Sequence, residues 1–273
     1  MIGQKRIQNR ISALIDNGAF PRFSIITGQY GCGKKTLAKQ IAKQLKGFTI
    51  MVEPKVDSIR EMIEQSYKTA TTTVYVIADA DNMSVAARNA ILKVTEEPPN
   101  NAYFIMTLQD AVNTLDTIRS RGMIFQMDAY TPEEIMLFVG TTTDRDTLNR
   151  FVQLCDTPYA VQLLKSYDAK QFSDYVTLVV DNIAEVSGVN AFKIADRINL
   201  SDDVSKYDLI VFWRAFSNEC LCRLTGDPFK YAKAIEITSK YLQDLRTSSL
   251  NRSYIFDMWL LDIRAEWMNI ADD

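Results

Sequence analysis

Five short apolar runs, set apart by stretches patterned for helix, decide what the first half of this chain can fold into. Phe23–Thr27 (FSIIT), Thr49–Val52, Thr73–Ile77 (TVYVI), Ala102–Thr107 (AYFIMT) and Met123–Met127 read as strands. Lys5–Asn17, Lys34–Lys46, Val56–Ala70 and Val85–Glu97 read as helices before and between them. Several of the runs are nearly unbroken apolar sequence, the pattern of strands covered on both faces. Strands alternating with helices in this way predict a parallel sheet with crossover helices. After Met127 the pattern changes. Thr131-Pro132-Glu133-Glu134 opens a helix, with Pro at the first helical position and acids in the first turn. Beyond it the chain reads as helix, broken at Asp156-Thr157-Pro158 and Ser187-Gly188, with a last set over Lys206–Leu224, Tyr231–Arg246 and Asn251–Ile270. The expected organisation is an α/β domain over residues 1–130, a small helical domain over 131–190 and a helical C-terminal domain over 191–273.

With 273 residues, 47% hydrophobic and 24% charged, the chain can bury a sizeable core divided over two or three domains. Histidine is absent, which excludes imidazole as a general base and any His-ligated metal. Cys32, Cys155, Cys220 and Cys222 lack paired spacing and read as reduced thiols of a cytoplasmic protein. No stretch approaches the roughly 18 apolar residues of a membrane span, and Met1 does not open a signal peptide, so no membrane partner is expected. The formal charge is -3 without a long basic tract, so any nucleic-acid contact is local or supplied by partners.

Chemistry enters at Thr27-Gly28-Gln29-Tyr30-Gly31-Cys32-Gly33-Lys34-Lys35-Thr36, which follows a predicted strand and opens a predicted helix. Gly28, Gly33 and Lys34 fit G-x-x-x-x-G-K. The glycines allow backbone N–H groups to surround phosphate oxygens, the helix N-terminus adds partial positive charge, and Lys34 reaches the β- and γ-phosphates. A Gly-rich strand-to-helix turn also occurs for purely structural reasons; the lysine and the flanking elements favour the phosphate reading. One position departs. The motif ends in Ser or Thr, whose hydroxyl ligates Mg²⁺, and here that slot holds Lys35. Thr36 comes one residue late, roughly 100° around the helix. The expected ligand is ATP or ADP held through Gly28, Gly31, Gly33, Lys34, Lys35 and Thr36, with Mg²⁺ bound weakly if at all.

Downstream, Ala78-Asp79-Ala80-Asp81, Asn89-Ala90-Ile91-Leu92-Lys93, Glu96-Glu97-Pro98-Pro99 and Ser120-Arg121-Gly122 follow one another between apolar strands. Taken singly, Asn89 and Lys93 are ordinary solvated helix positions, and the two prolines end a helix. Taken in order behind a phosphate loop, they resemble the clamp-loader family of AAA+ proteins, the bacterial delta-prime and gamma/tau subunits and the small subunits of replication factor C. Ile2-Gly3-Gln4 also resembles the start of these proteins. The resemblance implies an AAA+ parallel sheet, a small helical lid and an all-helical collar-type domain. It further implies a hetero-oligomer with other clamp-loader subunits, and contact with a sliding clamp and primer-template DNA through that complex.

Against the family pattern, the Mg²⁺-organising Asp position is Ala78 and the water-activating Glu position is Asp79; a one-residue slide would instead leave Ala80 in the second slot. Tyr159 stands where the lid offers an Arg, and Thr107 is nearest to the polar residue that closes the third core strand. Arg121, by contrast, keeps the residue that the family uses as an arginine finger on a neighbour's ATP; on its own it would read as a surface Arg in a salt bridge. Lys46–Thr73 carries no cysteine where many relatives hold a zinc module, so no structural zinc is expected. A degenerate site with a retained finger resembles delta-prime, a stator that supplies its Arg in trans. An active gamma/tau-like motor is the alternative. The apolar helices around Trp213 and Trp259 fit either a core or a collar interface.

Overall fold

The structure, a computed structural model, describes residues 1–109, 116–140, 145–166, 169–183, 206–247 and 252–272. It divides into two compact units, Met1–Glu134 and Ile135–Asp273. The predicted break near residue 190, between lid and terminal domain, lies outside the described residues.

The first unit is built on five strands: β1 (Phe23–Thr27), β2 (Phe48–Val52), β3 (Thr73–Ile77), β4 (Ala102–Leu108) and β5 (Met123–Gln126). Their order is β2-β3-β4-β1-β5 and every pairing is parallel. Helices α1 (Lys5–Asp16), α2 (Lys34–Gln44), α3 (Val56–Lys68) and α4 (Val85–Glu96) cover the sheet, with a short α5 (Asp116–Arg119) before β5. Each predicted strand is present, with ends moved by a residue or so. β1 and β3 are buried along their whole length, which explains their unbroken apolar sequence. Alternate residues serve opposite faces. Phe23, Ile25, Tyr75, Ile77, Phe104 and Met106 share one core with Ile59 and Met62 of α3 and with Ala87, Ile91 and Val94 of α4. On the α2 side, Ile26, Val74, Val76 and Ile105 are fully buried, as are Ala38, Ile41 and Ala42 of α2 itself. β2 is an edge strand with Phe48, Ile50 and Met51 exposed.

Local signals fix the helix ends. Ser84 caps α4 by accepting the Ala87 N–H at 3.2 Å. Thr131 and Glu134 form a reciprocal capping box at the start of α6 (Pro132–Val139): each side chain accepts the other's backbone N–H, at 3.2 and 3.1 Å.

Among the described residues of the second unit, α7 (Arg145–Leu154), α8 (Pro158–Ser166), α9 (Ala169–Asn182), α10 (Lys206–Arg223), α11 (Pro228–Thr247) and α12 (Arg252–Asp272) pack as helices alone. Trp213, Trp259 and Trp267 are core residues. Phe216 meets Trp259 edge-on at 4.9 Å between ring centres, and the Trp259 indole N–H donates to Thr238 Oγ1 at 3.0 Å. A different set faces outward: Tyr254, Met258, Leu261, Ala265 and Met268 of α12 are exposed and recur at steps of four and three residues, the spacing of a helix-pairing seam.

Gly122 shows how tightly β1 packs. A Cβ there would lie 2.9 Å from the Phe23 ring and 3.0 Å from Ile25 Cγ1. Gly122→Val should therefore lower unfolding stability by about 1–3 kcal/mol, read as a lower urea midpoint. An unchanged midpoint would contradict this packing.

Candidate nucleotide site

In an open parallel sheet, loops gather at the carboxyl ends of the strands, and a ligand crevice forms where connections diverge to either side. Here β4 lies between β1 and β3, so the loops leaving β1 and β3 flank the end of β4. Gly28 leaves β1 and donates its N–H to the Leu108 carbonyl of β4 at 3.2 Å. Gly28, Gly31 and Gly33 all have positive φ (154°, 78° and 97°), conformations natural to glycine and strained for side-chain-bearing residues. At Gly28 a Cβ would also lie 2.9 Å from Cys32 Sγ. The loop then enters α2, whose first-turn N–H groups lack helical partners and point along the axis. Lys34 folds back over this loop and donates from Nζ to the carbonyls of Gly28 and Gln29, at 2.6 and 2.9 Å. Thr36, the displaced hydroxyl, is exposed on α2.

The position that sequence reading marked as wrong has a partner. Lys35 Nζ lies 2.8 Å from Asp79 Oδ2, an ion pair between the start of α2 and the loop after β3. The side chains keep 51% and 29% of their surface exposed, so the pair sits at an accessible mouth. Asp79 is held left-handed at φ 52°, one of three non-glycine residues with positive φ among those described. Its N–H donates to Thr107 Oγ1 of β4 at 3.0 Å, which gives Thr107 a positioning role. Two residues on, the Asp81 carboxylate accepts the Gln109 N–H at 3.1 and 2.9 Å. Burial raises the Asp81 carboxyl above its ordinary value, while the Gln109 N–H and the Lys34 charge pull it back down. Ala78 leaves β3 as a methyl group and offers no ligand atom.

These residues do not fit Mg²⁺. The ion requires near-octahedral oxygen ligands, and the slot that should supply a hydroxyl holds an ammonium already paired with the nearby carboxylate. No group of three or more His, Cys, Asp or Glu among the described residues is arranged for a metal. Residues 46–73, where sequence reading expected no zinc module, form β2 and α3 and their connections. Cys220 is buried in α10, its thiol pushed up to about 12 chiefly by burial, while Cys222 is exposed.

Two supports escaped the sequence reading. The Gln4 amide pairs both ways with the Asp128 backbone just beyond β5, donating to its carbonyl at 2.6 Å and accepting its N–H at 2.8 Å. The Tyr130 hydroxyl donates to the Cys32 carbonyl of the phosphate loop at 2.7 Å, and burial raises its ionisation well above normal. Gln4 was visible only as part of Ile2-Gly3-Gln4, and Tyr130 carried no motif at all.

Arg121 follows α5 and precedes β5, at the edge of the sheet where strands begin, away from the phosphate loop at the strand ends. Its guanidinium pairs with Glu96, with Nε to Oε1 at 3.0 Å, and also donates to the Thr117 carbonyl. The Glu96-Glu97-Pro98-Pro99 and Ser120-Arg121-Gly122 segments thus meet in one ion pair. Tyr159 lies in the first turn of α8, in the second unit.

Residues 46–131 match the family model described as DNA polymerase III, delta subunit. The chain is 31% identical over 170 residues to a DNA polymerase III subunit gamma of Buchnera aphidicola subsp. Schizaphis graminum, a match covering 51% of this chain and 47% of the relative. The chain is similar to clamp-loader subunits of the AAA+ type. A replication factor C small subunit 1 from Pyrobaculum aerophilum is 24% identical over 222 residues, covering 73% of this chain and 66% of that protein. Across the bacterial gamma match, the chain spans about half the length of the relative. The fold is shared with a DNA polymerase III gamma subunit-related protein of Thermotoga maritima, at a TM-score of 0.54 and 15% identity over 94% of this chain and 98% of that one. A RuvB variant of Thermotoga maritima gives a TM-score of 0.53 at 17% identity, over 83% and 77% of the two chains.

Tyr130→Phe removes the hydroxyl that donates to the Cys32 carbonyl of the phosphate loop. Stability should fall by about 0.5–1.5 kcal/mol in urea unfolding, the worth of one hydrogen bond; a midpoint equal to the parent's would mean that Tyr130 does not hold the loop.

Proposed function

We propose that this chain is a delta-prime-like subunit of a DNA replication clamp loader. It does not hydrolyse nucleotide itself and offers Arg121 to the nucleotide of a neighbouring ATPase subunit while a sliding clamp is loaded. One observation carries the reading: the Lys35–Asp79 ion pair stands where a working site needs a hydroxyl and a metal. Ala78 and Tyr159 agree with it. The phosphate loop retains the geometry to hold ATP or ADP, with Gly28, Gly31, Gly33 and Lys34 as its cradle and Lys35 and Thr36 at its rim.

The trans role of Arg121 draws support from its place at the strand-start edge, away from this chain's own loop. To reach phosphoryl oxygens, its guanidinium must exchange Glu96 for them, and its planar fork suits that exchange. Partners are other clamp-loader subunits, and through them the clamp and primer-template DNA, in the cytoplasm. The exposed seam Tyr254, Met258, Leu261, Ala265 and Met268 supports helix pairing between subunits, as a collar-type domain from about residue 191 would need, with a lid over 131–190. An active gamma-like motor is the competing reading, favoured by the similarity to a gamma subunit.

Steady-state assays separate the two. The purified chain should turn over ATP far below the usual enzyme range of about 1–10³ s⁻¹. In the reconstituted loader, Arg121→Ala should lower clamp- and DNA-stimulated ATPase only in part, since several sites contribute. The site it serves should lose rate strongly, as small GTPases lose about 10³–10⁵ without their finger. Arg121→Lys should rescue little. Normal turnover by the isolated chain, abolished by Lys34→Ala, would establish the motor instead; full loader activity in both Arg121 variants would reduce that residue to a surface charge.

A further inference from the structure

Mg²⁺ does two things in a P-loop site: it neutralises phosphate charge and it bridges phosphate oxygens to the protein. In this chain the residues that would hold it are missing, yet the place is not left uncharged. An ammonium on the first turn of α2 reaches across to the loop after β3 and pairs with Asp79 at 2.8 Å. A lysine ammonium carries three N–H donors, of which the Asp79 contact uses one. The Lys35 side chain is half exposed, at the same mouth where Lys34 and the loop glycines converge.

We propose that Lys35 is a built-in cation. Held by Asp79, its ammonium does the charge-neutralising work of a divalent metal. The phosphate loop therefore takes a nucleoside polyphosphate free of metal and disfavours the Mg²⁺ complex. This rests on the loop being a phosphate site, as read above, and adds which ionic form it accepts. Three features work together. Lys35 replaces the metal-binding hydroxyl with a positive charge that repels a second cation. Asp79, the carboxylate nearest to that charge, is already committed to it. Thr107 receives the Asp79 N–H at 3.0 Å and fixes the acid in its left-handed conformation, so the ammonium has a set anchor. Lys34 stays available in the usual role, exchanging the Gly28 and Gln29 carbonyls for phosphoryl oxygens.

The test is calorimetric titration of the full chain with ATP, once in EDTA and once in excess Mg²⁺, with thermal melts confirming that each variant is folded. The parent should bind ATP in EDTA at least as tightly as in Mg²⁺. Lys35→Thr should weaken binding in EDTA by about tenfold, the loss of one hydrogen bond from a charged group, and should make Mg²⁺ strengthen binding. Asp79→Asn, which keeps the ammonium, should like the parent gain no affinity from Mg²⁺; a gain there would also overturn the proposal. Tighter binding of the parent in Mg²⁺ overturns the proposal. So does a Lys35→Thr variant that ignores metal, or a parent that binds ATP in neither buffer. Turnover is not read here, so metal-dependent binding without hydrolysis would remove the built-in cation and leave the non-hydrolysing reading intact.

Discussion

Parallel pairing of five strands, with β1, β3 and β4 buried at the centre, forces the polar business of the first unit to the strand ends, because the covered faces are given to packing. With β4 between β1 and β3, the turn after β1 and the turn after β3 are brought to either side of one strand end. Leu108 and Thr107 of β4 then tie them in place, the first by accepting the Gly28 N–H and the second the Asp79 N–H. The Lys35–Asp79 ion pair follows from this geometry. Forty-four positions separate the two residues along the chain, and only the strand order makes them neighbours.

The pair alone adds little stability. Exposed ion pairs contribute on the order of 0–1 kcal/mol, so in the proposed function its importance is chemical: it would decide which charge meets an incoming phosphate. Lys34 shows the complementary arrangement, an ammonium parked on the loop's own carbonyls and ready to exchange them. The same logic extends to Arg121, which is balanced by Glu96 at the opposite edge of the sheet. In the proposed function each of these three cations would exchange or share its oxygen partner with a phosphoryl oxygen, and Lys35 would do so without releasing Asp79.

Much of the fold was legible because burial leaves a strong trace in sequence. β1 and β3 read as strands since every residue in them is covered. β2 was legible as a strand but not as an edge, because Phe48, Ile50 and Met51 are as apolar as core residues although they face outward. In the site, the loop glycines, Lys34 and the departures at Lys35 and Ala78 could be read from spacing. Their meaning could not: Lys35 and Asp79 looked like two separate defects until strand order joined them. Gln4 and Tyr130 escaped because each bonds to the backbone of a residue about a hundred positions or more away along the chain, which no local pattern encodes. The C-terminal helices were ambiguous for a related reason. Apolar content there serves both a core, with Trp213 and Trp259 inside, and an exposed seam along α12, and composition does not divide them.

The central claim is that an ammonium occupies the metal's place, and diffraction from crystals grown with ATP and Mn²⁺ addresses it most directly, since anomalous scattering locates Mn²⁺ without reference to the protein chain. The account predicts no anomalous peak between the phosphates and Asp79, with Lys35 Nζ within hydrogen-bonding distance of both Asp79 and a phosphoryl oxygen. A Mn²⁺ peak bridging the phosphates at that position, with Lys35 turned away from Asp79, would contradict it.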